Sequence, residues 1–121
     1  MARIMFVDDD PLTLETLRKS VSLLGHEALL ASSGDIAQNT ARTQLPDLIL
    51  TDMHLPDMGG LELVEKLKGD PTTTHIPVIV LSASAEMDAQ ELSHTAGAEA
   101  FIAKPIRLQA LQELIDRFTS H

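Results

Sequence analysis

Four short segments carry the side chains best suited to chemistry: Asp8-Asp9-Asp10, Thr51-Asp52, Ser82-Ala83-Ser84 and Lys104-Pro105. Brought together, the carboxylates of Asp8, Asp9 and Asp52 repel one another unless a cation sits among them. Oxygen ligands with no His or Cys cluster favour Mg²⁺, or Mn²⁺, and Mg²⁺ prefers a few carboxylates plus waters and a phosphate oxygen. One divalent cation and the Lys104 ammonium balance the three carboxylates, which leaves a site able to accept a dianionic phosphoryl group in flight. Singly, each segment is ordinary. Asp10 before Pro11 reads as a helix cap, Asp8, Asp9 and Asp52 as turn residues, and Lys104-Pro105 as a loop pair. Their weight comes from where the elements place them.

Five apolar runs recur along the chain, Arg3–Val7, Glu27–Ala31, Asp47–Thr51, Val78–Ser82 and Glu99–Ala103, and all but Glu27–Ala31 lead into or contain one of these segments. Several are continuous, such as Ile4-Met5-Phe6-Val7 and Val78-Ile79-Val80-Leu81. Continuous runs suit strands covered on both faces of a parallel sheet. Between them, Leu14, Leu17, Val21 and Leu24 share one helical face, begun by Asp10-Pro11 and stopped by Gly25. Leu61, Val64 and Leu67, between Gly60 and Gly69, form a second stripe. Leu108, Leu111, Leu114, Ile115 and Phe118 form the last one. The helix around 35–43, with Ile36, Ala37, Thr40 and Ala41, is weaker. That around 86–95 offers little beyond Met87 and Leu92, which predicts loose packing there.

Strands alternating with helices predict a single α/β domain over residues 1–121, with a doubly wound five-stranded parallel sheet. The expected architecture is flavodoxin-like (βα)5 with strand order 2-1-3-4-5. In such a sheet ligands bind outside the carboxyl ends of the strands. The four reactive segments each follow a different strand, so they converge on one edge.

Composition narrows the field. The 121 residues carry a formal net charge of −9 and no cysteine. Acidity argues against direct nucleic-acid or anionic-lipid binding, and the three aromatics, Phe6, Phe101 and Phe118, offer no base-stacking platform. Disulfides, thiol nucleophiles and Cys-based zinc sites are excluded. The apolar stretch Ile76–Leu81 is broken by Pro77 and too short to span a bilayer. The N-terminal apolar run meets three aspartates at once, unlike a signal peptide, so a cytoplasmic location is expected. No glycine-rich dinucleotide or nucleotide loop and no serine-esterase elbow is present. His26, His75, His94 and His121 lack metal-ligand spacing and read as surface residues.

Over essentially its whole length the chain resembles the receiver domain of two-component response regulators. The resemblance rests on Val7-Asp8-Asp9-Asp10, on Asp52-Met53-His54-Leu55-Pro56-Asp57-Met58-Gly59-Gly60, on Ser82-Ala83, on Ala96-Gly97-Ala98, and on Phe101 with Lys104-Pro105. It implies that Asp52 is the phosphoryl acceptor and forms an acyl phosphate. Asp9, Asp52 and the backbone carbonyl of His54 would ligate Mg²⁺, with Asp8 acting mainly through a bound water. Lys104 would pair with a phosphoryl oxygen and the Ser82 hydroxyl would hydrogen-bond another. The Lys104–Pro105 peptide would be cis.

The resemblance further implies a switch in which Ser82 and the following loop draw inward and Phe101 turns inward behind them. That would alter the face of the fourth helix, fifth strand and fifth helix, where an effector or a second copy of the chain would bind. The donor would be a histidine kinase or histidine phosphotransfer protein. The chain would catalyse only its own phosphorylation and dephosphorylation. Many members have Thr at Ser82 and Tyr at Phe101. His54 and Ser84, two residues beyond Asp52 and Ser82, occupy positions that tune phosphoryl lifetime.

Two other readings differ by single features. A haloacid-dehalogenase-type phosphatase needs Thr where Leu12 stands. A receiver-like interaction module independent of phosphorylation would lack one of Asp8, Asp9, Asp52, Ser82 or Lys104, and all are present. No effector domain is expected after the last helix, which leaves a free-standing receiver or a domain of a larger regulator or hybrid kinase.

Overall fold

The computed structural model describes residues 1–82 and 87–119. Strands and helices alternate in the order β1 (Arg3–Val7), α1 (Pro11–Leu23), β2 (Glu27–Ala31), α2 (Gly34–Gln44), β3 (Leu48–Asp52), α3 (Gly60–Gly69), β4 (Val78–Ser82), α4 (Met87–Ala96), β5 (Ala100–Ala103) and α5 (Leu108–Thr119). The sheet is parallel throughout with strand order β2-β1-β3-β4-β5, as the alternation predicts.

The continuous apolar runs are explained by cover on both sides. Ile4, Phe6, Leu48, Leu50, Ile79 and Leu81 face one way and pack under α1 and α5. Met5, Val7, Ile49, Val78 and Val80 face the other way, with Ala37 and Ala41 of α2 and Leu63, Val64 and Leu67 of α3. All of these strand side chains are buried. Each contributes about 1.5–3 kcal/mol of hydrophobic stabilisation before chain entropy is set against it.

The helix ends follow local rules. Asp10 Oδ1 accepts the Leu12 N–H at 3.2 Å and Oδ2 the Thr13 hydroxyl at 2.6 Å, with Pro11 in the first turn. Gly25, at φ 84°, turns the chain out of α1. Some expected stripes shift. Leu63 joins Val64 and Leu67 on the fully buried face of α3, because Gly60, Leu63, Val64 and Leu67 fall at i, i+3, i+4 and i+7, while Leu61 packs partly buried at its edge. Ile36 and Leu108 are exposed, since the small Ala37 and Ala41 let α2 lie close to the sheet and Leu111, Leu114 and Ile115 suffice for α5.

Two strand ends also move. Asp47 is not in β3: it exchanges backbone and side-chain hydrogen bonds with Arg3, both at 2.8 Å. Glu99 stays outside β5 and its carboxylate accepts the Val78 N–H at 2.6 Å. On α4, Leu92 is exposed while Ser93 is buried. Ser84, His121 and the side chain of Met87 lie outside the described residues.

Among the described residues, Leu45 has a strained backbone. It caps the C-terminus of α2 at φ 47°, ψ 64°, a left-handed conformation that crowds any Cβ. Leu45→Gly is expected to raise the unfolding free energy by about 0.5–1 kcal/mol, because relief of the crowded Cβ exceeds the added unfolded-chain entropy. Urea unfolding at unchanged m-value measures this. A loss of stability would show that packing of the Leu45 side chain outweighs the backbone strain.

Candidate functional site

Strand register sets the site. Val7 pairs with Thr51, so the next residues, Asp8 and Asp52, emerge side by side. Asp52 pairs with Leu81 and Ser82 with Ala103, which brings the ends of β4 and β5 level with them and sets Lys104 just beyond. Asp8, Asp9 and Asp52 each offer a carboxylate oxygen, and these oxygens lie within 4.8 Å of one another.

The three carboxylates have different surroundings. Asp8 is only 4% exposed; its Oδ1 accepts the Asp10 N–H and its Oδ2 the Lys104 ammonium, both at 2.9 Å. Asp52 is half-buried, its Oδ1 accepts the Met53 N–H at 2.8 Å, and the same oxygen lies 3.3 Å from Lys104 Nζ. Asp9 is exposed. Burial works against the charge on Lys104, but the hydrogen bond to Asp8 and the charges of Asp52 and Asp8 outweigh it and hold the ammonium above the ordinary lysine value.

The backbone under Asp52 is fixed closely. Thr51, fully buried, donates its hydroxyl to the Asp52 carbonyl at 3.0 Å. A Cβ on Gly60 would lie 2.2 Å from that carbonyl oxygen, so only glycine lets α3 start so near the strand. Gly60 also donates its N–H to Met53 O at 2.7 Å.

The other expected residues fall around this core. Ser82 is buried at the end of β4, and its carbonyl accepts the Lys104 N–H at 2.7 Å. The Lys104–Pro105 peptide is cis. Phe101 is half-buried on β5, packed toward the α2–α3 side, and lines a hollow of about 170 Å³ with Ser93 and His94. The His54 side chain is exposed, and its backbone bridges to Gly59. Asp10 serves α1 as a cap. A cleft of about 320 Å³ opens between α1, at Leu12, Thr13 and Thr16, and the Lys104–Ile106 turn.

The donor set suits a hard divalent cation. Oxygens bound at about 2.1 Å to an octahedral Mg²⁺ lie roughly 3–4.2 Å apart, so carboxylates already within 4.8 Å need only small shifts to close on one. Lys104 alone cannot neutralise three carboxylates, so the edge retains a negative field that attracts such an ion.

Two features escape sequence reasoning. Asp57 accepts the Gly34 and Asp35 N–H groups, each at 2.9 Å, across 23 and 22 positions. It lies inside a stretch whose spacing is informative, but its partner is a helix end that only the tertiary fold brings near. His26 is half-buried and its Nδ1 accepts the Ala2 N–H at 2.9 Å, so it is a structural acceptor rather than a plain surface residue.

Known proteins are similar to this chain in sequence and fold. The family of the response regulator receiver domain matches residues 4–116. The polar-differentiation response regulator DivK of Brucella ovis is 37% identical over 115 residues, covering 95% of this chain and 94% of that protein. The receiver domain of a signal transduction histidine kinase from Syntrophus aciditrophicus superposes with a TM-score of 0.90 at 31% identity, covering 99% of this chain and 91% of that one. The receiver domain of a sensor histidine kinase from Pseudomonas aeruginosa PAO1 superposes with a TM-score of 0.90 at 27% identity, over 99% and 98% of the two chains. In that structure a magnesium ion is coordinated in the active-site cleft.

Several carboxylates near the helix ends have a stability signature. The Gly34 and Asp35 N–H groups hold Asp57 below its ordinary value of 3.8. The Thr13 hydroxyl and Leu12 N–H do the same for Asp10, and Arg42 with the Thr72 N–H for Asp70. Groups with folded values below their unfolded ones stabilise above the unfolded value and lose that contribution as pH falls through the folded one. Urea midpoints followed from about pH 6 to about pH 3 are therefore expected to fall steadily, and Asp57→Asn should flatten the slope. Parallel slopes would show that the Asp57 hydrogen bonds are not linked to protonation.

Proposed function

Because this chain belongs to the response regulator receiver domain family, we propose that it accepts a phosphoryl group on Asp52 from a phosphohistidine donor and signals through the changed surface. The observation that carries this reading is the carboxylate cluster at the strand ends with Lys104 reaching both Asp8 and Asp52.

Asp9, Asp52 and the His54 carbonyl would hold Mg²⁺, with Asp8 acting through a bound water. Once bound, the ion supplies charge neutralisation for the phosphoryl group and a template for its oxygens. A carboxylate oxygen of Asp52 attacks the donor phosphorus. A P–O bond forms to Asp52 as the donor's P–N bond breaks, and the leaving imidazole takes up a proton. Phosphoryl transfer asks for positioning and charge balance more than covalent help. Lys104 provides the balance, and the Ser82 hydroxyl donates a hydrogen bond to a phosphoryl oxygen once the product forms.

The cleft between α1 and the turn before α5 is lined by Asp10 and Lys104, beside the acidic cluster, with Leu12, 74% exposed, on its rim, and offers a surface for the donor. The donor class is a histidine kinase or histidine phosphotransfer protein. Inward movement of Ser82 and Phe101 would then alter the α4–β5–α5 face for an effector or a second copy. The chain would act as one receiver unit in the cytoplasm and catalyse only its own phosphorylation and dephosphorylation. Among the described residues no helix is long and apolar enough to cross a membrane.

Incubation with Mg²⁺ and acetyl phosphate is expected to add about 80 Da, the mass of one phosphoryl group. Asp52→Asn and chelation of the metal should each abolish the gain. No gain with small-molecule or phosphohistidine donors would favour a module independent of phosphorylation, and turnover of unrelated phosphomonoesters would favour a phosphatase. In the same assay His54→Ala should change the acyl-phosphate half-life several-fold, because its exposed side chain lies two residues beyond Asp52 and can shield or orient water. An unchanged half-life removes His54 from rate control.

A further inference from the structure

The loop between β3 and α3, residues 53–59, carries His54 and is built as a small closed hairpin. Gly60 N–H donates to Met53 O at 2.7 Å, His54 bridges to Gly59, and Leu55 N–H donates to Met58 O at 3.2 Å. These bonds fix the loop's shape but not where it sits against the rest of the domain. Placement needs anchors outside the loop. At its base Met53 N–H donates to Leu81 O at 3.1 Å. At its tip the Asp57 carboxylate takes the Gly34 and Asp35 N–H groups, and Met58 lies so close to α2 that a Cβ on Gly34 would come within 2.4 Å of its sulfur. His54 sits between base and tip.

We propose that Asp57 is a positioning residue for the cation site: by clamping the loop tip onto the first turn of α2, it fixes where the His54 carbonyl stands relative to Asp52. This rests on the reading above, in which that carbonyl is a metal ligand. The first turn of α2 presents unpaired N–H groups and the positive end of its dipole, both suited to a carboxylate. Ser33 Oγ serves the Ile36 N–H at 3.2 Å, and Asp57 serves the two before it. With Asp57 removed, the hairpin keeps its internal bonds but can swing about its base, so the carbonyl must be ordered anew whenever a cation binds.

Mg²⁺ titration of the unphosphorylated chain, followed by amide chemical shifts, tests this without any phosphoryl transfer. Asp57→Ala is expected to weaken Mg²⁺ roughly tenfold, the scale on which groups supporting a metal ligand act. Asp57→Asn, which keeps one acceptor, should lose less. Asp70→Ala removes a comparably hydrogen-bonded carboxylate from the far end of α3, where Asp70 holds Arg42 and the Thr72 N–H. It should lower thermal stability while leaving Mg²⁺ affinity unchanged. Wild-type affinity in Asp57→Ala, or a loss no greater than in Asp70→Ala, overturns the proposal. If the alanine variant does not fold, unchanged affinity in Asp57→Asn overturns it equally. Absence of Mg²⁺ binding by the unmutated chain would instead bring down the receiver reading and this inference together.

Discussion

Mutual repulsion among Asp8, Asp9 and Asp52 is the constraint to which the rest of this domain answers. Like charges at one edge of a sheet oppose folding, and the sheet can hold them there only because it is strong elsewhere. Its three central strands, β1, β3 and β4, are buried on both faces, and their register delivers the acids side by side. Lys104 then answers two of the three carboxylates at once. Asp9 stays exposed with water as its main screen. Stability is concentrated in the sheet and spent at its edge.

The backbone near the acids is held by small, specific devices rather than by bulk. The Thr51 hydroxyl and the missing side chain of Gly60 both act on the Asp52 carbonyl, one by bonding it and the other by leaving it room. Neither touches the carboxylate; both act on the backbone that carries it. Similar economy appears at the opposite end, where the Lys68 ammonium joins Ile76 O and Glu99 at 2.7 Å and ties α3 to the starts of β4 and β5.

Much of this was legible in the sequence because it depends on local chemistry and strand periodicity. The uninterrupted apolar runs marked strands with two covered faces, and alternation with helices implied the sheet order. Asp10-Pro11 announced the start of α1. The residues at the strand ends then followed from topology alone. What escaped depends on contacts that spacing does not encode. Leu63 takes the centre of the α3 stripe and Leu61 its edge, because the buried face runs through Gly60, Leu63, Val64 and Leu67. Ile36 could be left in water because alanines suffice where α2 meets the sheet. Asp57 and His26 each serve a backbone donor more than twenty positions away, and nothing near them in the chain names that donor.

The ion pair between Lys104 and Asp8 closes over 96 positions. A chain made from its N-terminus therefore carries all three acids long before the lysine that answers them. Until β5 pairs with β4, the acidic edge is exposed to its own repulsion, and local contacts such as the α1 cap and the β3–α3 hairpin can form first. Contacts of such long sequence separation are slow to close. Completion of the site thus depends on the docking of β5, and a chain that stalls before β5 docks has the acids without their counter-charge.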